Sequence, residues 1–338
     1  MSIHSNRGKH ARAAVLAGAL LLPLAACGSG SGTGTTGTGG TTGTTGTAGA
    51  AGSSAAIAKD AELAAAVPAE IRGRGSLIIG TNAPYAPLEF FAEDNKTLVG
   101  FDIDTGDALG QVLGLKVDWK NTSFDNIIPG LEAGRYDIGI AGFGIERERL
   151  EVVGFVSNYL SGGGFLVKKG SGIKANDFKD TVCGLRVAVQ SGTTQVERLE
   201  KAEKYCAGAG KKPVQIIRIP DQNQVVLTLS SGRADVVSAD KPAVEWAAKQ
   251  SEGALCVTGT YRTPHSLAGI AVPKRNAALN EVLQKAMTKL ISEGHYKRIA
   301  EKWGVVDGAI EKSEIFTKPE QVGDGDEIFP QPIKEGCA

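Results

Sequence analysis

Histidine is scarce in this chain: four occur among 338 residues, and two of them, His4 and His10, fall in an N-terminal leader. With His265 and His295 left in the body of the chain, no Ser-His-Asp or Cys-His set is visible, which removes the commonest nucleophilic chemistries. Net charge is also missing. Lysine and arginine number 37 and aspartate and glutamate 37; dropping Arg7, Lys9 and Arg12 with the leader leaves 34 basic against 37 acidic groups. A surface without a basic excess does not suit a nucleic-acid partner. No metal or cofactor is expected. Asp102 and Asp104 are spaced like a metal pair, but helix capping and surface charge account for them better.

What is present begins with export signals. Arg7, Lys9 and Arg12 form a basic region ahead of the apolar run Ala13–Leu22, which is too short to persist as a membrane span. Leu24-Ala-Ala-Cys27 follows and resembles a bacterial lipobox, in which Cys27 is lipidated and becomes the mature N-terminus. The competing reading is an ordinary secretory signal cut near Ala26. Residues 28–54 are almost entirely Gly, Thr, Ser and Ala. Such a stretch cannot bury enough surface to fold and serves as a tether reaching about 30 Å. Its threonines also suit O-glycosylation. The expected location is the outer face of the cell membrane, held there by Cys27.

Four cysteines remain after export: Cys183, Cys206, Cys256 and Cys337. An even count in an oxidising compartment points to two disulfides, for which three pairings exist. Cys183 and Cys206 bracket one strand–loop–helix unit whose ends can meet, so they are the expected pair. A bond between Cys256 and Cys337 explains why an otherwise unpatterned tail carries a penultimate cysteine.

Ala55–Val67 is Ala-rich and weakly helical and reads as the end of the tether, with folded structure from near Ile71. Ser76–Gly80 is a strand. In the next segment, up to Phe90, Pro84 and Pro87 prevent helix and brace Tyr85. Asp102 is placed to N-cap a helix over Ile103–Leu113. A strand at Leu115–Trp119, a helix at Ser123–Ala133 and a strand at Tyr136–Ala141 complete the first unit. Strands alternating with helices imply a layered α/β domain with a largely parallel sheet.

This grammar recurs. Ile127–Gly142 aligns with Val225–Asp240, each reading helix, Gly-Arg-x-Asp, strand and strand tip, and Leu77–Thr81 aligns with Arg186–Thr193. One repeat about a hundred residues long implies two lobes of like architecture. Crossings are expected at Tyr159–Phe165, where Gly162–Gly164 could act as a hinge, and at His265–Gly269. The expected divisions are a signal peptide over 1–26, an anchor and tether over 27–70, lobe one over 71–160 with 268–338, and lobe two over 161–267.

Ligand sites in α/β sheets lie beyond the carboxyl ends of the strands. Two facing lobes therefore bring Gly142 and Asp240 to equivalent tips across one cleft. Gly142 and Gly144 bare backbone ahead of a helix start that carries Arg149, against the helix dipole. Either Glu146 and Glu148 compensate Arg149 locally, or a bound carboxylate does. Asp240, ending an apolar strand, needs either Lys241 or a ligand cation. Arg149 and Asp240 together make a two-ended device, one end for a carboxylate and one for an ammonium.

At this point a family resemblance emerges. Gly80–Phe90, Val99–Asp104, Ile127-Ile-Pro129, Gly134-Arg-Tyr-Asp137, Arg147-Glu-Arg149, Val189–Thr194 and Gly294–Trp303, in this order and spacing, make the chain from about Ser76 to Gly304 similar to the family 3 solute-binding proteins. These are the polar amino-acid receptors of bacterial ABC importers. The resemblance implies a two-lobed periplasmic-binding-protein-like (type II) α/β fold, each lobe a mostly parallel sheet flanked by helices, joined by two hinge crossings. It also implies a monomer that captures an amino acid and hands it to a permease and ATPase. By resemblance, Arg149 holds the ligand's α-carboxylate with Thr193 and Thr194. Asp240 takes the α-ammonium with the carbonyl of Ala141 or Gly142, and Tyr85 and Phe124 sandwich the side chain. Asn82 reaches the polar end, with Gln190 and Gln195 on the second lobe's binding loop, implying a glutamine-like ligand more than an acidic one. Gly144 stands where the family usually carries a Thr or Ser whose hydroxyl contacts the head group.

Two other functions fit the same fold. An enzyme acting on a prephenate-like acid would use Glu89 as its acid, and a ligand-sensing surface lipoprotein would need no permease.

Overall fold

A computed structural model describes residues 56–264, 266–323, 327–333 and 336–337; the leader, Cys27, most of the tether and His265 lie outside the described residues. Helices α1 (Ala61–Ala66) and α2 (Ala69–Arg74) lead into β1 (Ser76–Thr81), a hairpin of β2 (Phe90–Phe91) and β3 (Leu98–Val99), and α3 (Phe101–Leu113). Then come β4 (Lys116–Asn121), α4 (Ile127–Glu132), β5 (Ile138–Gly139), α5 (Arg147–Leu150) and β6 (Val153–Leu160). Lobe two contains β7 (Gly163–Lys168), β8 (Arg186–Gln190), α6 (Thr194–Gly208), β9 (Gln215–Ile219), α7 (Gln222–Ser230), β10 (Val236–Asp240), α8 (Lys241–Gln250) and β11 (Leu255–Arg262). The chain returns through β12 (Leu267–Pro273), α9 (Ala278–Ser292) and α10 (His295–Trp303), and ends with β13 (Ile315–Phe316) and β14 (Phe329–Gln331).

The sheets run β13-β6-β12-β5-β1-β4 and β14-β11-β7-β10-β8-β9, and they correspond position by position. The repeated Gly-Arg-x-Asp has the same job in each. Asp137 accepts the Ile78 N–H of β1 at 2.7 Å, and Asp235 accepts the Arg186 N–H of β8 at 2.9 Å. Each aspartate also holds an arginine, Arg74 or Arg186, so a carboxylate closes the start of an inner strand in both lobes.

Apolar periodicity builds the core. Leu279, Val282, Leu283, Ala286, Met287 and Leu290 form one buried stripe on α9, spaced as a helix face requires. They pack with Leu77 and Ile79 of β1 and with Leu109 and Val112 of α3.

The structure corrects several sequence expectations. The sheets are mixed, not mostly parallel: β1 pairs in parallel with β4 and β5, and β8 with β9 and β10, whereas the remaining pairings are antiparallel. Antiparallel strands follow because β6, β7, β11 and β12 carry the chain across and back. The folded body begins before Ile71. Asp60 caps α1 through the Glu62 and Leu63 N–H groups, and Leu63, Val67 and Ile71 all enter the core. Gly163 and Gly164 belong to strand β7, not to a free hinge; a Cβ there would stand 2.1 Å from the Tyr261 ring and 2.5 Å from Val244. Finally, the tail does not belong wholly to lobe one. β13 pairs with β6 of lobe one, while β14 pairs with β11 of lobe two, and a disulfide joins Cys337 to Cys256. The tail therefore makes a third connection between the lobes. The second disulfide joins Cys183 and Cys206.

Candidate functional site

The strand tips β5 and β10 meet across the interlobe cleft. Lobe one brings Tyr85, Phe124, Ala141, Gly142, Gly144 and Arg149 to a shared pocket, and lobe two brings Gln190, Thr193, Thr194, Gln195 and Asp240. Asn82 joins this set by accepting Gln190 Nε2 on its Oδ1 at 2.7 Å. The lobes are closed on each other, leaving a cavity of about 20 Å³, room for about one water molecule. An amino acid therefore needs the lobes to part before it can enter.

At one end lies Arg149, half-buried in the closed cleft, where desolvation lowers its pKa. It does not pair with Glu146. Its Nη1 donates to Gly144 O at 2.8 Å and its Nη2 to Gly192 O of the other lobe at 3.1 Å. The guanidinium lies 5.4 Å from the Phe124 ring centre and 5.6 Å from that of Phe143, and these two rings stack. Phe124 is thus a platform for Arg149 as well as a wall of the pocket. Helix α6 begins here, bringing the positive end of its dipole. Thr193 spends its hydroxyl proton on Gln190 O at 2.8 Å, whereas Thr194 Oγ1 accepts from Arg198 at 2.9 Å and donates to Gln195 Oε1 at 3.4 Å. At Gly144 a Cβ would meet nothing closer than 3.6 Å, so packing leaves room for a side chain there and does not itself demand glycine.

At the other end lies Asp240. Its Oδ2 accepts the Tyr85 hydroxyl at 2.9 Å and its Oδ1 accepts Gln195 Nε2 at 2.8 Å. Burial raises its pKa, while those two donors and the charges of Arg149 and Arg198 pull it back. Lys241 faces away, toward Glu245 and Asp307 at 3.6 Å each, so Asp240 lacks the local cation considered from sequence.

Asp102 is not the helix cap that its position implied. Gly100 is the N-cap of α3, and the buried Asp102 carboxylate accepts the Gly142 N–H at 2.8 Å and Asn158 Nδ2 at 3.2 Å. It holds Gly142 in the left-handed conformation (φ +56°) that glycine adopts without strain. Burial pushes Asp102 up to about 6. Glu89 rises well above the carboxylate range, first through burial and then through the neighbouring Asp102. At 1% exposure and absent from the pocket lining, Glu89 is not presented to a ligand.

Sequence reasoning missed Arg198, which donates to Glu146 across the cleft at 3.2 Å. It lies four residues beyond Thr194, one helical turn along α6, and that spacing was the available signal. A roomier cavity of about 160 Å³ near Tyr159, Trp246 and Trp303 shares no residue with this pocket.

Two like lobes closed over a half-buried arginine and a half-buried aspartate define a ligand-capture protein of the two-lobed periplasmic-binding type. The chain belongs to the bacterial extracellular solute-binding proteins, family 3, whose family model matches residues 77–306. It is 31% identical to the arginine-binding protein ArgT of Corynebacterium glutamicum over 264 residues, covering 76% of this chain and 84% of that one. Among solved structures it resembles an ancestral arginine-binding protein bound to arginine, with 34% identity, a TM-score of 0.62, and coverage of 68% of this chain and 98% of that one. The ancestral arginine-binding protein bound to glutamine matches at 34% identity and a TM-score of 0.61, covering 69% of this chain and 99% of that one.

Proposed function

We propose that this protein captures an amino acid between its lobes and delivers it to an ABC importer, working from the outer face of the cell membrane on a lipidated Cys27. The observation that carries this reading is the pair of opposed charges, Arg149 and Asp240, in one interlobe pocket. They match the α-carboxylate and α-ammonium of a free amino acid. The side chain then lies between Tyr85 and Phe124 and runs toward Asn82 and Gln190.

The hydrogen-bond inventory at that far end favours a side chain that donates. Asn82 Nδ2 gives a hydrogen to Thr122 O at 2.7 Å, and Gln190 Nε2 serves both Asn82 Oδ1 and Pro220 O. The backbone carbonyls fix which atom of each amide is nitrogen. Gln190 Oε1 is left buried with no hydrogen-bond partner, an acceptor awaiting a donor. Arginine, lysine or glutamine supplies N–H groups there, and glutamate does not. Relatives named for arginine, and one held with glutamine, agree with this chemistry. A thermal-shift and calorimetric screen of the amino acids tests it, because bound ligand raises stability by RT ln(1 + [L]/Kd). Binding of arginine or glutamine in preference to glutamate is expected. Equal binding of glutamate would defeat the ligand assignment, and no binding of any amino acid would defeat the function.

A further inference from the structure

We propose that Arg198 latches the closed lobes and positions the carboxylate end of the site. It rests on the amino-acid reading above for its ligand but on its own geometry for the latch.

Arg198 sits on α6, with its guanidinium 5.9 Å from the Tyr261 ring centre, which fixes where its arms point. Nη2 reaches Glu146 of lobe one at 3.2 Å, with side-chain exposures of 13% and 22%. Nη1 donates to Thr194 Oγ1 at 2.9 Å. A single side chain thus bridges the lobes and fills an acceptor site of the Thr194 hydroxyl. The Thr194 hydroxyl in turn donates to Gln195 Oε1 at 3.4 Å, and Gln195 Nε2 donates to Asp240 at 2.8 Å, so Arg198 anchors a chain of side chains along the lobe-two wall of the pocket.

The latch has a second effect. Glu146 is the N-cap residue of α5, the helix that carries Arg149. Its Oε1 lies 3.6 Å from the position of a Cβ on Gly144, and Arg149 Nη1 lies 3.8 Å from the same point. Released from Arg198, Glu146 is free to turn to Arg149 and compete with the ligand's carboxylate. Arg198 therefore keeps Glu146 off the clamp, and it does so only when the lobes are closed. Closure and the freeing of Arg149 become one event.

The test uses the full-length protein with arginine as the probe. Arg198→Gln is expected to weaken binding roughly tenfold, equivalent to about 1.4 kcal/mol, chiefly through faster ligand release. Glu146→Gln should weaken it less, since it breaks the latch without leaving a competitor. The double variant should bind no more weakly than Arg198→Gln, and better if Glu146 competes. A purely structural role would lower the melting temperature of all three and leave Kd and the release rate unchanged. Unchanged binding by Arg198→Gln, or effects that add in the double variant, would overturn the proposal. Small-angle scattering of ligand-free protein gives a reading that needs no ligand. Arg198→Gln should shift the lobes toward the open form, and an unshifted profile would refute the latch. Wild-type protein that binds no amino acid would instead defeat the functional reading.

Discussion

Arg149→Ala is the most informative substitution, because the structure gives the arginine two occupations. Truncation removes the hydrogen bonds to Gly144 O and Gly192 O and the cation stacked over Phe124 and Phe143. It also leaves the ligand's carboxylate without its charged partner in a closed, desolvated site. Losing one side of such a pair costs about 2–5 kcal/mol, so affinity for arginine should fall by about 30-fold to about 4,000-fold at 1.4 kcal/mol per decade. Arg149→Lys keeps the charge but cannot span both carbonyls, because an ammonium lacks the guanidinium fork; an intermediate loss is expected. Isothermal titration calorimetry measures both, with circular dichroism confirming that each variant is folded. If Arg149 served only to brace the backbone, the variant would melt earlier yet bind with an unchanged Kd. That result would refute the clamp and the amino-acid assignment with it.

Five further outcomes are expected. Asp240→Asn should weaken binding about as severely. In the wild type, affinity should fall on acidification at a higher pH than for an ordinary aspartate, since burial raises the Asp240 pKa and binding needs its ionised form; titration calorimetry across pH 4–8 reads this. Asp102 binds its proton more tightly folded than unfolded, with a pKa of about 6 against 3.8, so the native state holds more protons between those values. Stability should therefore decline as pH rises through that window, by about 3 kcal/mol from this group, and Asp102→Asn should flatten the dependence of melting temperature on pH. Cys183→Ser, opening a loop of 23 residues, should cost about 3 kcal/mol on a chain-entropy argument, measured by urea unfolding. Cys27→Ala should release the protein from the membrane fraction without altering arginine affinity; retention in that fraction would defeat the lipid anchor.

Features set by local pattern were legible in the sequence. The paired Gly-Arg-x-Asp runs announced two like lobes because Asp137 and Asp235 each satisfy a backbone N–H at the start of an inner strand. The apolar stripe on α9 likewise follows helical spacing, a local property. Asp102 was misread because capping chemistry and a buried network use the same residue type. Only the fold shows that Gly142 comes back to lie against it. The Arg198–Glu146 pair spans 52 positions and two lobes, beyond the reach of any local rule. β13 and β14 are too short, at two and three residues, to show periodicity; they are strands because neighbouring sheets offer them an edge.

The third connection has a consequence for proteolysis. A receptor joined by two crossings alone falls into separable pieces once both are cut. Here Cys256 of β11 is bonded to Cys337, and the chain runs back from Cys337 through β14 and β13 into lobe one. Cleavage at 161–162 and again at 263–266 would leave the lobes on one covalent thread until a reductant is added. A protease exposed to this protein outside the cell would thus nick the hinge without shedding the lobe that carries Asp240. The molecule's two halves part company only when both peptide bonds and the disulfide have been broken.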